Sequence, residues 1–397
     1  MNDLLILIKE RAKLYKEEVI EIRRHLHQNP ELSFQEFNTS KFVCDKLDEY
    51  GIEYEKGIVK TGIVGLIKGT NPASKTIALR ADLDALPILE ENNVSYKSVN
   101  EGVMHACGHD VHTSSLLGVA KILNEVRDQF NGTVKLIFQP GEEKLPGGAS
   151  LMIAEGVLEN PAPASIIGQH VYPQLDAGKV GFRSGMYMAS CDELYVTIKG
   201  KGGHAALPHQ NIDPILISSH IIIALQQLIS RIIPPTIPAV LSFGKISGNG
   251  ATNIIPDRVE LEGTFRIMNE EWRAVAHQKM IKMAESIGES MGGECIFRLE
   301  KGYPFLVNDD NVTGKAKAAA IEFLGSENVI DLDLRMTAED FAYYSQLKPA
   351  CFYRLGIKNK ADNIAPGLHT STFNIDESAI ETSIGLMSWI AIKELAR

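Results

Sequence analysis

Several segments of this chain end in the same way. A run of strand length, mostly apolar, stops abruptly at side chains that bind metals or move protons. Thr76-Ile77-Ala78-Leu79-Arg80 runs into Ala81-Asp82-Leu83-Asp84, and Thr133-Val134-Lys135-Leu136-Ile137-Phe138-Gln139 runs into Pro140-Gly141-Glu142-Glu143. Ser165-Ile166-Ile167-Gly168-Gln169 ends in His170. Near-continuous apolar strands belong to sheets covered on both faces. Helical runs separate them, and the polar residues always fall at one end. The pattern predicts an α/β domain with a largely parallel or mixed sheet flanked by helices, and with its site at the carboxyl edge.

The rhythm changes near residue 190. Glu193-Leu194-Tyr195-Val196-Thr197-Ile198-Lys199 alternates as a half-exposed strand does. A long apolar helix follows from Asp213 to Ile232, then strands at Ala239 to Ile246 and Val259 to Met268, a helix at Glu270 to Ser290 and a strand at Glu294 to Glu300. That order fits a small ferredoxin-like α+β layer. We therefore expect an inserted domain at 190–301, with 1–189 and 302–397 forming the main domain. In the resumed α/β pattern, Thr337 to Phe341 is expected to cap a helix, and Glu377 to Leu395 to close the chain as one.

Charge and cysteine usage narrow the class. The formal net charge of −10 argues against a nucleic-acid or anionic-membrane surface. The apolar start, Leu4 to Ile8, is cut off by Lys9, Glu10 and Arg11, too short for a membrane span and unlike a signal peptide. A cytoplasmic protein is expected. The five cysteines are widely spread and include no Cys-x-x-Cys pair, so a disulfide framework is not expected.

The densest chemistry is Met104-His105-Ala106-Cys107-Gly108-His109-Asp110-Val111-His112, on a loop that opens a helix. Cys-x-His can serve one metal ion, yet alone it reads more readily as a buried thiol with surface histidines. Its weight comes from the other strand ends and loops. Cys107, His109, Glu143, His170 and His369 make five candidate ligands, more than one tetrahedral site uses, and suit two metal ions sharing a bridge. Glu142 points away from its neighbour Glu143 and can take a proton from water and pass it to a leaving amine.

These residues sit in segments that together resemble the M20 metallopeptidase and amidohydrolase family. They are Arg23-Arg24-His25-Leu26-His27 with Pro30-Glu31-Leu32, Leu79 to Pro87, His105 to His112, and Gln139 to Glu143. Further along come Gly200 to His204 with Pro208-His209, Asn253-Ile254-Ile255-Pro256-Asp257 and Ala338-Glu339-Asp340-Phe341. Within the family the chain resembles the branch of N-acyl-amino-acid amidohydrolases, hippurate hydrolases, indole-acetyl-amino-acid hydrolases and related carboxypeptidases. Gly141, Lys144-Leu145 and Thr337 depart from that branch's usual residues without removing a ligand.

The resemblance implies a zinc-peptidase-like catalytic domain with an inserted lid and dimerisation domain. It implies two divalent ions per subunit, zinc, manganese, cobalt or nickel, with Cys107 as the bridging ligand and Glu142 as general base. Asp82 would orient a ligand. His204 would reach the partner subunit's active site and stabilise the oxyanion, while Asn253 and Arg266 would hold the substrate carboxylate. The implied substrate is an N-acyl amino acid or short peptide, and the implied assembly a homodimer or homotetramer. A metallocarboxypeptidase, a dipeptidase, an N-acetyldiaminopimelate deacetylase and a non-catalytic metal-stabilised binding protein are the alternatives.

Overall fold

A computed structural model describes residues 2–359 and 366–396. The chain divides into two compact units, one of Met1–Gly185, Val307–Asp333 and Asp340–Arg397, the other of Met186–Leu306 and Leu334–Glu339.

The first unit is built on a mixed eight-stranded sheet. Its spatial order is Glu53–Ile58, Gly62–Lys68, Thr133–Gln139, Thr76–Asp82, Ser165–Asp176, Ala350–Lys358, Val180–Phe182 and Val329–Asp331. The middle is parallel: Thr76–Asp82 pairs in parallel with Thr133–Gln139 and with Ser165–Asp176, which pairs in parallel with Ala350–Lys358. Every residue of Thr76–Asp82 and Thr133–Gln139 is buried, the covered-sheet environment their apolar runs predict. Helices Asn2–Gln28, His109–Glu125 and Ala379–Leu395 pack together, and their apolar faces share one core with the sheet. Gly118 permits that approach: a Cβ there would stand 2.7 Å from Ile384 and 2.8 Å from Val19.

Three elements differ from expectation. The strand through His170 continues to Asp176, pairing with Ala350–Lys358 beyond the point where Pro173 interrupts the apolar run. The helix that follows the central stretch begins inside it, at His109, so His109 to His112 form its first turn while His105 and Cys107 stay on the loop before it. The residues after Phe341 form only a short helix, Ala342–Ser345.

The second unit carries a four-stranded antiparallel sheet, ordered Ala239–Gly248, Arg258–Ile267, Asp192–Lys199 and Glu294–Lys301. Leu194, Val196 and Ile198 alternate into a core shared with Ile217, Ile221 and Leu225 of helix Pro214–Gln227 and with Ala276, Met280 and Ala284 of helix Glu270–Ser290. Asp213 caps the first of these helices, accepting hydrogen bonds from the backbone N–H groups of Ile215 and Leu216. The stretch Pro214–Ile232 is long and apolar enough to cross a membrane by length and composition, but its inner face belongs to this core.

Candidate metal centre

In the first unit the carboxyl ends of the parallel strands and the start of helix His109–Glu125 bring the donor atoms together. Cys107 Sγ lies 3.5 Å from His170 Nε2 and 3.3 Å from His369 Nε2. His369 Nε2 is 3.2 Å from Glu143 Oε1, and His109 Nε2 is 3.9 Å from the same oxygen. Cys107 thus belongs to two close donor groups, one with His109 and His170, the other with Glu143 and His369. Glu142 and Glu143 form a third with His109. His369 adopts a left-handed backbone, φ +61°, and its N–H donates to the Ala106 carbonyl at 2.8 Å. Such a conformation costs a non-glycine residue about 1–3 kcal/mol and persists where the surroundings hold it.

Hydrogen bonds decide which imidazole nitrogen faces the cluster. His109 Nδ1 meets the main-chain oxygen of Asp84 at 2.9 Å and Asp84 Oδ1 at 3.2 Å. His170 Nδ1 donates to the Val171 carbonyl at 2.8 Å. Both rings therefore present Nε2 inward, the orientation a carboxylate or carbonyl partner imposes on a metal-binding histidine. His109 Nε2 is buried with no hydrogen-bond partner, and Glu143 Oε1 is buried facing the His369 and His109 nitrogens, an arrangement that suits a cation. The mixed sulfur, nitrogen and oxygen donors, with Asp82, Asp84, Glu142 and Glu143 close by, fit one or more divalent ions.

The electrostatics agree. Burial pushes the Cys107 thiol well above its ordinary pKa, and the Glu143 and Glu142 carboxylates push it further. Burial opposes a charge on His109, yet Asp82, Asp84 and Glu143 outweigh it and raise the ring to about 10. His170 is held well below the usual range by burial and by Arg354. Cationic charge among these atoms would favour thiolate and release the His109 proton.

The three histidines of the central stretch have separate fates. His112 is tied at both nitrogens: Nδ1 lies 2.6 Å from Asp82 Oδ1, and Nε2 accepts the Val171 N–H at 3.0 Å. It joins Asp82 to the strand carrying His170 rather than facing the donor group. His105 is buried, neither ring nitrogen has a hydrogen-bond partner, and burial lowers it to about 4. Of the three, His109 is the one that points into the cluster.

Sequence reasoning assigned no role to the network behind Glu142. Arg80, wholly buried on the strand that ends in Asp82, bonds Asp82, Gln139 Oε1 at 3.0 Å and Asp340 Oδ1 at 2.7 Å. Asp340 also accepts the Gln139 amide at 2.9 and 2.8 Å and the Ala149 N–H at 2.9 Å. Its own backbone N–H reaches Glu142 Oε1 at 3.4 Å. The only signal in the sequence was the Ala338-Glu339-Asp340-Phe341 motif itself.

In the second unit, His204 and Ile254 pair in a short ribbon of Gly203–His204 with Ile254–Ile255, and Asn253 lies beside them, its carbonyl accepting the Ala205 N–H. His204 is exposed and its Nδ1 accepts the Ala206 N–H at 3.1 Å, so a neutral ring carries its proton outward on Nε2. Arg266, half-buried, bonds Thr264 Oγ1 near the far end of strand Arg258–Ile267. At ~3.3 Å per residue, about 26 Å of strand separates Arg266 from the ribbon end.

Known proteins share this chain's pattern. Residues 78–392 match the model of peptidase family M20/M25/M40. The chain is 40% identical to the N-acetyl-L-cysteine deacetylase of Bacillus subtilis, covering 96% of this chain and 89% of that one. It is 38% identical to thermostable carboxypeptidase 2 of Saccharolobus solfataricus, over 98% of this chain and 99% of the relative. Among solved structures, the YxeP protein of Bacillus subtilis, described as a dinuclear metal-binding peptidase from the M20 family, superposes with a TM-score of 0.82. That pair is 35% identical over 96% of this chain and 99% of the other.

Proposed function

This chain belongs to peptidase family M20/M25/M40, and from that premise we propose that it is a metal-dependent amidohydrolase cleaving the amide bond of N-acyl amino acids. The observation that carries the reading is Glu142, a buried carboxylate at the edge of the donor group formed by Cys107, His109, Glu143, His170 and His369. Two divalent ions held by these residues, zinc, manganese, cobalt or nickel, supply Lewis acidity and lower the pKa of water.

The chain's own residues do the rest. Glu142 accepts a proton at its carboxylate as water oxygen bonds to the acyl carbon. The C–N bond then breaks, Glu142 returns the proton to the amine nitrogen, and an amino acid and a carboxylic acid leave. Asp82 and His112 hold the strand ends in place behind the donors. His204 Nε2–H is suited to donate to the developing oxyanion. Arg266 offers a planar fork for the substrate carboxylate, with Asn253 as a further donor.

The spread of these residues along the second unit supports a homodimer. The ribbon of His204 and Asn253 lies at the opposite end of strand Arg258–Ile267 from Arg266, so a ribbon from a second copy would complete one substrate site. The edge of strand Ala239–Gly248, unpaired among the described residues, and the exposed outer face of helix Pro214–Gln227, where Ile223 is 73% and Leu216 51% exposed, give that copy a surface. We read the protein as cytoplasmic.

A carboxypeptidase is the second reading, favoured by the Saccharolobus solfataricus relative. Rates on acetyl-, benzoyl- and peptidyl-amino acids separate the two. The direct test of the mechanism is Glu142→Ala. Metal content should equal that of the parent while turnover falls by about 10²- to 10⁴-fold, the range for a lost general base. Parental turnover would remove Glu142 from the chemistry.

A further inference from the structure

The Arg23-Arg24-His25-Leu26-His27 motif lies in the last turns of helix Asn2–Gln28, and the chemistry above makes no use of it. Arg23 and His27 stand one turn apart on the same helix face, and both are 0% exposed. They converge on one carboxylate, Asp110, the residue after His109: Arg23 Nε lies 2.7 Å and His27 Nδ1 2.9 Å from Asp110 Oδ2.

The same guanidinium reaches a second segment. Arg23 Nη2 donates to Asn374 Oδ1 at 3.2 Å, and Nη1 lies 3.5 Å from Glu377 Oε1, both just beyond His369. A parallel path runs through Glu90. His27 Nε2 is 3.1 Å from Glu90 Oε1, and Asn92 Nδ2 bonds both that oxygen, at 3.0 Å, and the Phe373 carbonyl, at 2.9 Å. Two routes, buried at Arg23, His27, Glu90 and Asp110 and part-buried at their far ends, therefore link the neighbour of His109 to the segment that follows His369. Those segments are far apart in the chain, yet Cys107 Sγ and His369 Nε2 come within 3.3 Å.

Burying this many charges costs several kcal/mol each in desolvation, and apolar replacements would often be as stable. The arrangement makes sense if geometry is what it secures. A forked guanidinium can hold two segments at a fixed separation, whereas an ammonium can bind only as a point charge.

We propose that Arg23 is a positioning residue for the metal centre, tying Asp110 beside His109 to Asn374 and Glu377 beyond His369 and so setting the spacing of the two halves of the donor group before an ion binds. The proposal rests on the reading of Cys107, His109, Glu143, His170 and His369 as metal donors.

The test compares the full-length parent with Arg23→Lys and with Asn374→Ala/Glu377→Ala, which leaves the Arg23–Asp110 pair intact. Metal-free protein is titrated with cobalt(II) against a competing chelator, and backbone hydrogen exchange is followed over residues 366–378. Arg23→Lys should weaken binding of at least one cobalt equivalent by about 10- to 100-fold, the range seen when support behind a ligand is lost. The double variant, which also removes Glu377 from Arg24, should show a smaller loss in the same direction, with faster exchange over 366–378 and a metal-free protein that still unfolds in one cooperative transition. If Arg23→Lys does not fold, the double variant decides. Parental cobalt affinity in the double variant overturns the proposal while leaving the donor reading intact. A parent that binds no cobalt overturns both.

Discussion

Replacing Asp340 with asparagine would change one oxygen to an amide, and the structure allows the consequence to be estimated. Asp340 is 0% exposed and accepts from Arg80, Gln139 and the Ala149 backbone at 2.7–2.9 Å. An asparagine in its place would offer one acceptor oxygen, and its NH2 would confront a donor. A hydrogen bond to a charged group contributes about 1.5–3 kcal/mol, and leaving a buried donor unmatched costs about 1–3 kcal/mol. Arg80 keeps Asp82, so the loss falls short of a fully broken buried pair, at about 3–5 kcal/mol. Asp340→Asn should therefore destabilise the first unit by about 2–4 kcal/mol. Each unit holds one tryptophan, Trp389 in the first and Trp272 in the second. Urea unfolding in a Trp272→Phe background, followed by fluorescence, reports on Trp389. Because the Asp340 backbone also contacts Glu142, kcat on an N-acyl amino acid should fall about tenfold, or ~1.4 kcal/mol of barrier, with KM nearly unchanged. A loss below about 0.5 kcal/mol in stability, together with parental kcat, would refute the reasoning.

Two further outcomes follow from buried polar groups. His112→Ala leaves Asp82 Oδ1 and the Val171 N–H without their imidazole partner, so zinc affinity should drop about 10- to 100-fold in a chelator competition; unchanged affinity would show that His112 does not support the donors. Burial lowers Lys135 to about 8, although its ammonium donates to the Val157 and Glu159 carbonyls. An unfolded chain holds that proton up to about pH 10.4, so between about 8 and 10 the unfolded state binds more protons and this residue makes stability rise with pH. The difference in urea stability between the parent and Lys135→Met should shift in the parent's favour across that window, and a constant difference would contradict the assignment.

The sequence disclosed the fold class through one physical signal, mostly apolar runs at 76–80 and 133–139 bordered by acids, because covered parallel strands need them. It could not reveal Glu53–Ile58, which is largely exposed and has no apolar pattern, nor Val180–Phe182 and Val329–Asp331, which are too short to carry a period. The candidate donors were visible as residue types at strand ends, and the structure brings their atoms together. The Cys-x-His spacing singled out His109 of the three histidines; what orients it, and what turns His112 aside, was not legible, since Asp84, Asp82 and Val171 decide it from distant segments. Arg23 and Asp340 were visible only as motif members, because a buried charge looks like a surface one until its partners are known.

Anomalous diffraction from crystals grown with a single transition metal, recorded at that metal's edge, addresses the central claim most directly. The account predicts two peaks about 3.5–4 Å apart, both adjacent to Cys107 Sγ, with His369 and Glu143 on one and His109 or His170 on the other. A map with no peak beside Cys107, or with metal bound only elsewhere, would contradict it.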